Sequence, residues 1–259
     1  MFSLAKKITL VTGAGRGIGR AIALALAKAG ATVAVMARTA VEVEGAVADI
    51  KKAGGQGVAI VADLSQKNGA GQVIEQVTAK LGPVDILVNN AGIGSSSNPK
   101  PVAEFDDAFW ELSLYLNLTV PYKLSKAVLP HMRQQKWGRI INIASINSKM
   151  PSLHGAAYAA SKHGLLGLTR TLALEIAREG ITVNAICPGP VHTVMNDKRI
   201  EYDAQRRGMS FAELEQAMTP IGGRLEPEDI APLAVYLASN EARMVTGQAY
   251  NICGGVLLY

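Results

Sequence analysis

The sequence predicts a doubly wound α/β fold, a parallel sheet covered by helices on both faces. Three observations predict it. Six short apolar runs recur without the polar alternation of a one-sided sheet, as strands buried on both faces require. Helical stretches lie between them, and such alternation of strand and helix builds a parallel sheet. The first run leads straight into a glycine-rich turn, TGAGRGIGR at 12–20.

The strands are expected at 8–12 (ITLVT), 32–36 (TVAVM), 57–61 (GVAIV), 85–89 (DILVN), 139–144 (RIINIA) and 181–186 (ITVNAI). After the first, Ile18, Ile22 and Leu26 recur every four residues, and Gly30 stands where a helix stops. The stretch GAAYAASKHG at 155–164 is mostly small. Alanine is the strongest helix former, so Tyr158 and Lys162 are expected one turn apart on one helix face. From Pro188 to Glu226 no strand is expected, and connections that long serve as lids or stay disordered. The segment near 189–226 therefore reads as a mobile substrate flap. Inside it, Ser210 and Glu213 have capping-box spacing, which predicts a short helix near 211–218. With 259 residues, 49% of them hydrophobic, the chain has ample core for a single domain over 1–259.

The bulk properties exclude several classes. No apolar run approaches the roughly 18 residues of a membrane span. The start, MFSLAKKITLVTG, enters a strand almost at once and leaves no room for a signal peptide. A cytoplasmic protein with no membrane partner is the expectation. Two cysteines, Cys187 and Cys253, are too few for a disulfide framework and read as packing residues. The four histidines lack ligand spacing, so no metal site is expected. The net charge is +5, but the basic residues are dispersed and few aromatics accompany them. That argues against a nucleic-acid partner and fits a solvated surface or attraction to an anionic small molecule.

The glycine turn points to a dinucleotide. Gly13, Gly17 and Gly19 lie between a buried strand and a helix, where backbone approaches a pyrophosphate and the helix N-terminus offers amides and positive dipole. The spacing is G-x-x-x-G-x-G rather than G-x-G-x-x-G. At the end of the second strand, an NAD site usually offers a carboxylate to the ribose, and an NADP site an arginine. Here Arg38 stands there with no acid beside it, and Arg16 lies inside the glycine loop. The pair selects NADPH/NADP+ as cofactor.

Together these residues resemble the short-chain dehydrogenase/reductase family. The matching segments are TGAGRGIG at 12–19, Asp63-Leu64, NNAG at 89–92, Asn117, Ser145, Tyr158-x-x-x-Lys162 and PGPVHT at 188–193, and they run nearly end to end. The resemblance implies a Rossmann-type sheet of about seven strands, the seventh near Gln248–Cys253. It implies adenine contact at Asp63 and cofactor contacts at Ile18, Leu64, Asn89, Asn90, Ala91, Gly92, Pro188, Gly189, Val191 and Thr193. Asn117, Ser145, Tyr158 and Lys162 match the family's catalytic four, and Tyr158 and Lys162 also touch the cofactor. In the family the asparagine holds a water behind the lysine. Pro190 departs from the aromatic residue the family often has there. The ending NICGGVLLY resembles polyketide ketoreductases. Reductases of carrier-linked 3-oxoacyl groups carry basic residues flanking the entrance; here the matching positions are Lys136 and Glu179.

A carbonyl that accepts hydride needs a proton. The phenol of a free tyrosine, with a pKa near 10, is a weak donor, and an ammonium one turn away is expected to lower that pKa. Ser145, at a strand's carboxyl end, is placed to stabilise the developing oxyanion. The expected activity is NADPH-dependent reduction of a ketone (3-oxoacyl, keto acid or similar small-molecule carbonyl) to a secondary alcohol. An NAD(P)-dependent dehydrogenase of a hydroxy acid, sugar or cyclic alcohol is the alternative, and a non-catalytic nucleotide sensor a third. The resemblance also implies a homotetramer or homodimer with the Tyr158 helix at the interface, where Gly164 and Gly167 permit close packing.

Overall fold

Strands that read as near-continuous Val, Ile and Leu bury both of their faces, and the chain supplies helices for each. The computed structural model describes residues 2–259. Seven strands, β1 (Ile8–Thr12), β2 (Thr32–Ala37), β3 (Gln56–Val61), β4 (Ile86–Asn89), β5 (Gly138–Ile143), β6 (Ile181–Pro188) and β7 (Ala249–Ile252), form one sheet in the order β3-β2-β1-β4-β5-β6-β7. Every neighbouring pair is parallel. The doubly wound fold, with its seventh strand, is as expected.

The helices are α1 (Gly17–Lys28), α2 (Ala40–Lys52), α3 (Gly69–Leu81), α4 (Asp107–Leu114), α5 (Val120–Gln135), α6 (Ala156–Glu175), α7 (Val194–Arg207), α8 (Phe211–Gln216) and α9 (Pro227–Ala238). Alternate strand residues divide the core. Val11, Val33, Val35 and Val88 pack with α1, α2 and α9, while Leu10, Ala34, Met36 and Leu87 pack with α3 and α5. This is the period of two that a two-sided strand imposes.

The strand order reverses between β1 and β4, and ligands of open α/β sheets bind outside the carboxyl ends of strands at such a switch point. Gly13 follows β1 there at φ 64°, where a Cβ would lie 2.9 Å from the Ala91 Cα. Asn90 locks the approach, its side-chain amide donating to the carbonyls of Thr12 at 2.9 Å and Gly13 at 3.0 Å.

The 189–226 segment is largely helical. It holds two helices, and only the second was predicted; its Ser210–Glu213 capping box forms. Helix α7 escapes a periodicity reading because only Ile200 and Ala204 of its fourteen residues are buried. A bridge between Val191 and Leu225 closes the base of the excursion. Arg224, its side chain 5% exposed, ties the helices together through Asp197 of α7 at 2.6 Å and Glu215 of α8 at 2.5 Å. A helical hairpin tied by these ion pairs covers the carboxyl edge of the sheet.

Candidate active site

One cavity of about 480 Å³ opens at that edge, and the family-matched polar residues converge on it. Ser145, Tyr158, Lys162 and Asn117 all line it, with Ile18, Asn90, Gly92, Pro188, Gly189, Val191 and Thr193. Ser145 follows β5 by two residues and caps the short turn Ile146–Ser148, its hydroxyl accepting from the Asn147 amide at 3.1 Å. That contact fixes the hydroxyl oxygen at the cavity wall. Tyr158 and Lys162 lie one turn apart on α6, as expected, with Nζ 5.7 Å from the phenol ring centre.

Lys162 is 6% exposed and donates to the Ile143 carbonyl at 2.8 Å. Burial lowers its pKa to about 8. The phenol moves against expectation. Burial raises the Tyr158 pKa above its ordinary value, and the Ser145 hydroxyl only partly opposes this. Desolvation favours the neutral acid, and the ammonium directs a proton at the Ile143 carbonyl.

Asn117 sits in a π-helical turn, Tyr115–Thr119, between α4 and α5. Its side chain accepts from the Ile93 amide at 2.9 Å and donates to the Ile93 carbonyl at 3.0 Å and to Ser161 at 3.1 Å. Both of its amide protons are used, with one lone pair of its oxygen. The residue therefore fixes the 93 segment against α6.

The cradle fits a dinucleotide. Helix α1 has no capping side chain and no acid in its first turn, so its amides remain available to a pyrophosphate. A Cβ at Gly19 would sit 2.4 Å from both the Gly13 carbonyl and the Asn90 amide. Gly17, at φ 54°, faces Thr193, which caps α7 by accepting from the Asn196 amide at 3.2 Å. Arg38 is exposed beside the end of β2. Asp63 accepts from the Ser65 amide at 2.9 Å, and this bond holds its carboxyl below the usual range.

Several expected contacts are placed elsewhere. Asn89 is 3% exposed and donates to Asn142 inside the sheet, so Asn90 rather than Asn89 faces the cavity. Leu64 is a core side chain. Lys136 and Glu179 precede β5 and β6, at the opposite edge of the sheet from the cavity. Glu179 there pairs with Arg133 at 2.6 Å. Glu42 was missed: it follows Arg38 by four residues, and the first turn of α2 carries it back to Arg16, at 3.2 Å.

Comparison with known proteins agrees with this geometry. A profile described as short chain dehydrogenase matches residues 7–204. The D-beta-hydroxybutyrate dehydrogenase of Cupriavidus necator is 38% identical over 256 residues, covering 96% of this chain and 97% of its own. The 3-oxoacyl-(acyl-carrier-protein) reductase of Pseudomonas aeruginosa is 39% identical, covering 99% of each chain. A tryptophan variant of actinorhodin polyketide ketoreductase, solved with NADPH, superposes at a TM-score of 0.92 with 38% identity and 98% coverage of both chains.

Proposed function

The chain belongs to the short-chain dehydrogenase family and is an NAD(P)-dependent oxidoreductase acting on CH–OH and C=O groups; from that premise we propose that it reduces a ketone to a secondary alcohol with NADPH. The observation that carries the reading is the placement of Ser145, Tyr158 and Lys162 in the wall of one cavity beside the glycine cradle. Burial of Tyr158 favours its neutral phenol, the form that gives a proton. Arg16 and Arg38, both exposed at the glycine turn and the end of β2, are the groups for a 2′-phosphate.

When bound, the nicotinamide supplies hydride to the carbonyl carbon. The Ser145 hydroxyl donates to the carbonyl oxygen and supports its growing charge. Tyr158 transfers its proton to that oxygen. Lys162 spends one of its three protons on Ile143 and keeps two donors for the phenolate and for a ribose hydroxyl. The glycine cradle and α1 hold the pyrophosphate, and the helical hairpin excludes water.

Consumption of NADPH over a panel of 3-oxoacyl thioesters, keto acids, keto sugars and aromatic ketones tests the reading. Binding of NADPH without turnover of any ketone would overturn it. The hydroxybutyrate dehydrogenase relative supports a second reading, oxidation of a hydroxy acid, which the same assay run with NADP+ and alcohols measures. We read the protein as a cytoplasmic homo-oligomer. A Cβ at Gly164 would meet Leu118 of the same chain at 2.8 Å, so that glycine also permits close packing within the chain. Gly167 faces open space, and Leu174 on the same helix is 81% exposed. A monomer by sedimentation would refute the oligomer.

A further inference from the structure

The charged groups around the cavity are unbalanced. Lys162, Arg199, Arg206 and Arg207 border it against one carboxylate, Asp203. Lys162 belongs to the chemistry already described. The other four all project from α7, the helix whose polarity hid it from a periodicity reading.

Arg199 is committed within the fold. Its Nε and Nη2 pair with the two oxygens of Asp203 at 2.7 and 3.2 Å. Nη1 donates to the Ser95 hydroxyl at 3.2 Å and Nη2 to the Leu153 carbonyl at 2.9 Å. Its fork thus clasps α7 to two segments on the other side of the cavity, and Asp203 neutralises it. Arg206 reaches the same carboxylate only at 3.4 Å, and that carboxylate already serves Arg199. Arg207 has no ion-pair partner among the described residues. Basic residues in a last turn suit any helix dipole. Here they also stand at a cavity mouth, with one shared carboxylate between three guanidinium groups. A cavity with surplus cation and low-dielectric walls attracts and holds anions.

We propose that Arg206 and Arg207 form an anion-recognition arm of the substrate site, selecting ketones that carry a carboxylate or phosphate group beyond the reacting carbonyl. This rests on the ketone-reduction reading and names its substrate class. Short substrates bring the anion as a carboxylate, and carrier-type thioesters bring it as phosphate.

Two matched pairs of substrates separate these sources: acetoacetate against its methyl ester, and acetoacetyl-CoA against acetoacetyl-N-acetylcysteamine. The wild type is expected to favour the anionic member of at least one pair by about tenfold or more in kcat/KM, the scale of a hydrogen bond to a charged group. Preference in the first pair identifies a carboxylate, and preference in the second alone a phosphate. The double variant Arg206→Gln, Arg207→Gln is expected to shrink the preference to about threefold or less. Its rate on the neutral member should stay within about twofold of wild type, because neither side chain touches the reacting carbonyl. Both residues are exposed and glutamine suits a helix, so thermal unfolding should be unchanged. Equal use of neutral and anionic members by the wild type, or a preference that survives the double variant, would overturn the arm and leave the reductase reading standing. No consumption of any of the four ketones would overturn the arm, and the reductase reading would then be decided by the wider panel of keto sugars and aromatic ketones.

Discussion

Arg16 and Glu42 form an ion pair across the mouth of the cofactor cradle, Nη1 to Oε1 at 3.2 Å, with Glu42 packed under Gly15. The acid that the end of β2 lacks is thus returned by the first turn of α2. A carboxylate there competes with a 2′-phosphate for the guanidinium and repels the phosphate directly. The pair is exposed, so its intrinsic strength is small.

Glu42→Gln is therefore expected to raise the NADPH-to-NADH ratio of kcat/KM by about three- to tenfold, an effect of roughly 1 kcal/mol. Arg38→Ala should lower the same ratio by about tenfold. Steady-state rates with both cofactors measure each. An unchanged ratio in Glu42→Gln would place the 2′-phosphate away from Arg16.

Tyr158→Phe is expected to lose at least about a hundredfold in kcat while still binding NADPH, the low end for a removed acid–base group. Fluorescence titration of the nucleotide separates the two effects. In the wild type, kcat/KM for reduction should fall as pH rises through about 8, where Lys162 loses its proton. Tyr158 itself stays protonated across that range, because its pKa is raised above 10.0. A flat profile from pH 6 to 10 would detach Lys162 from the chemistry.

The strands, α1 and the Tyr158–Lys162 spacing were legible because burial and periodicity leave marks in one dimension. What escaped depends on proximity in three. Helix α7 presents little apolar surface, since it covers a wet cavity rather than a core. Glu42 meets Arg16 only because a strand-to-helix turn doubles back. Asn89 and Asn90 are indistinguishable in NNAG, yet adjacent residues at a strand end face opposite ways, and one serves the core and the other the cavity. The Tyr158 shift was misjudged for a different reason: spacing reports the ammonium, while the desolvation that raises the phenol's pKa comes from the folded surroundings.

Arg139 is 2% exposed and has no carboxylate partner among the described residues. It donates to the carbonyls of Gly138 at 2.8 Å, Ser239 at 3.1 Å and Gly180 at 3.3 Å, and lies 4.5 Å from the Trp137 ring centre. Burial lowers its pKa to about 10. It joins the end of α9 to the first residue of β5 and the turn before β6. Arg139→Met leaves these carbonyls without a donor and is expected to cost about 2–4 kcal/mol. Urea unfolding measures it, and a loss under about 0.5 kcal/mol would show that water replaces the guanidinium.

Lys162 should make stability depend on pH in a window set by its own shift. Its pKa is about 8 in the folded chain against 10.5 for the exposed group. Below about 8 both states hold the proton, and the folded state carries the whole burial penalty. Between 8 and 10.5 the unfolded chain binds the proton and the folded chain does not, so folding gains as pH rises. The gain is bounded at about 3.5 kcal/mol, since the shift is about 2.5 pKa units and each is worth about 1.4 kcal/mol. Lys162→Met has no such group. Its unfolding free energy minus that of the wild type is expected to fall as pH climbs from about 8 to about 10.5, and to level off outside that window. Measuring the difference between the two proteins cancels the titration of every other side chain they share. A difference that stays constant across the window would mean that the lysine keeps its ordinary pKa, and that the Ile143 carbonyl and its surroundings solvate the ammonium as well as water does.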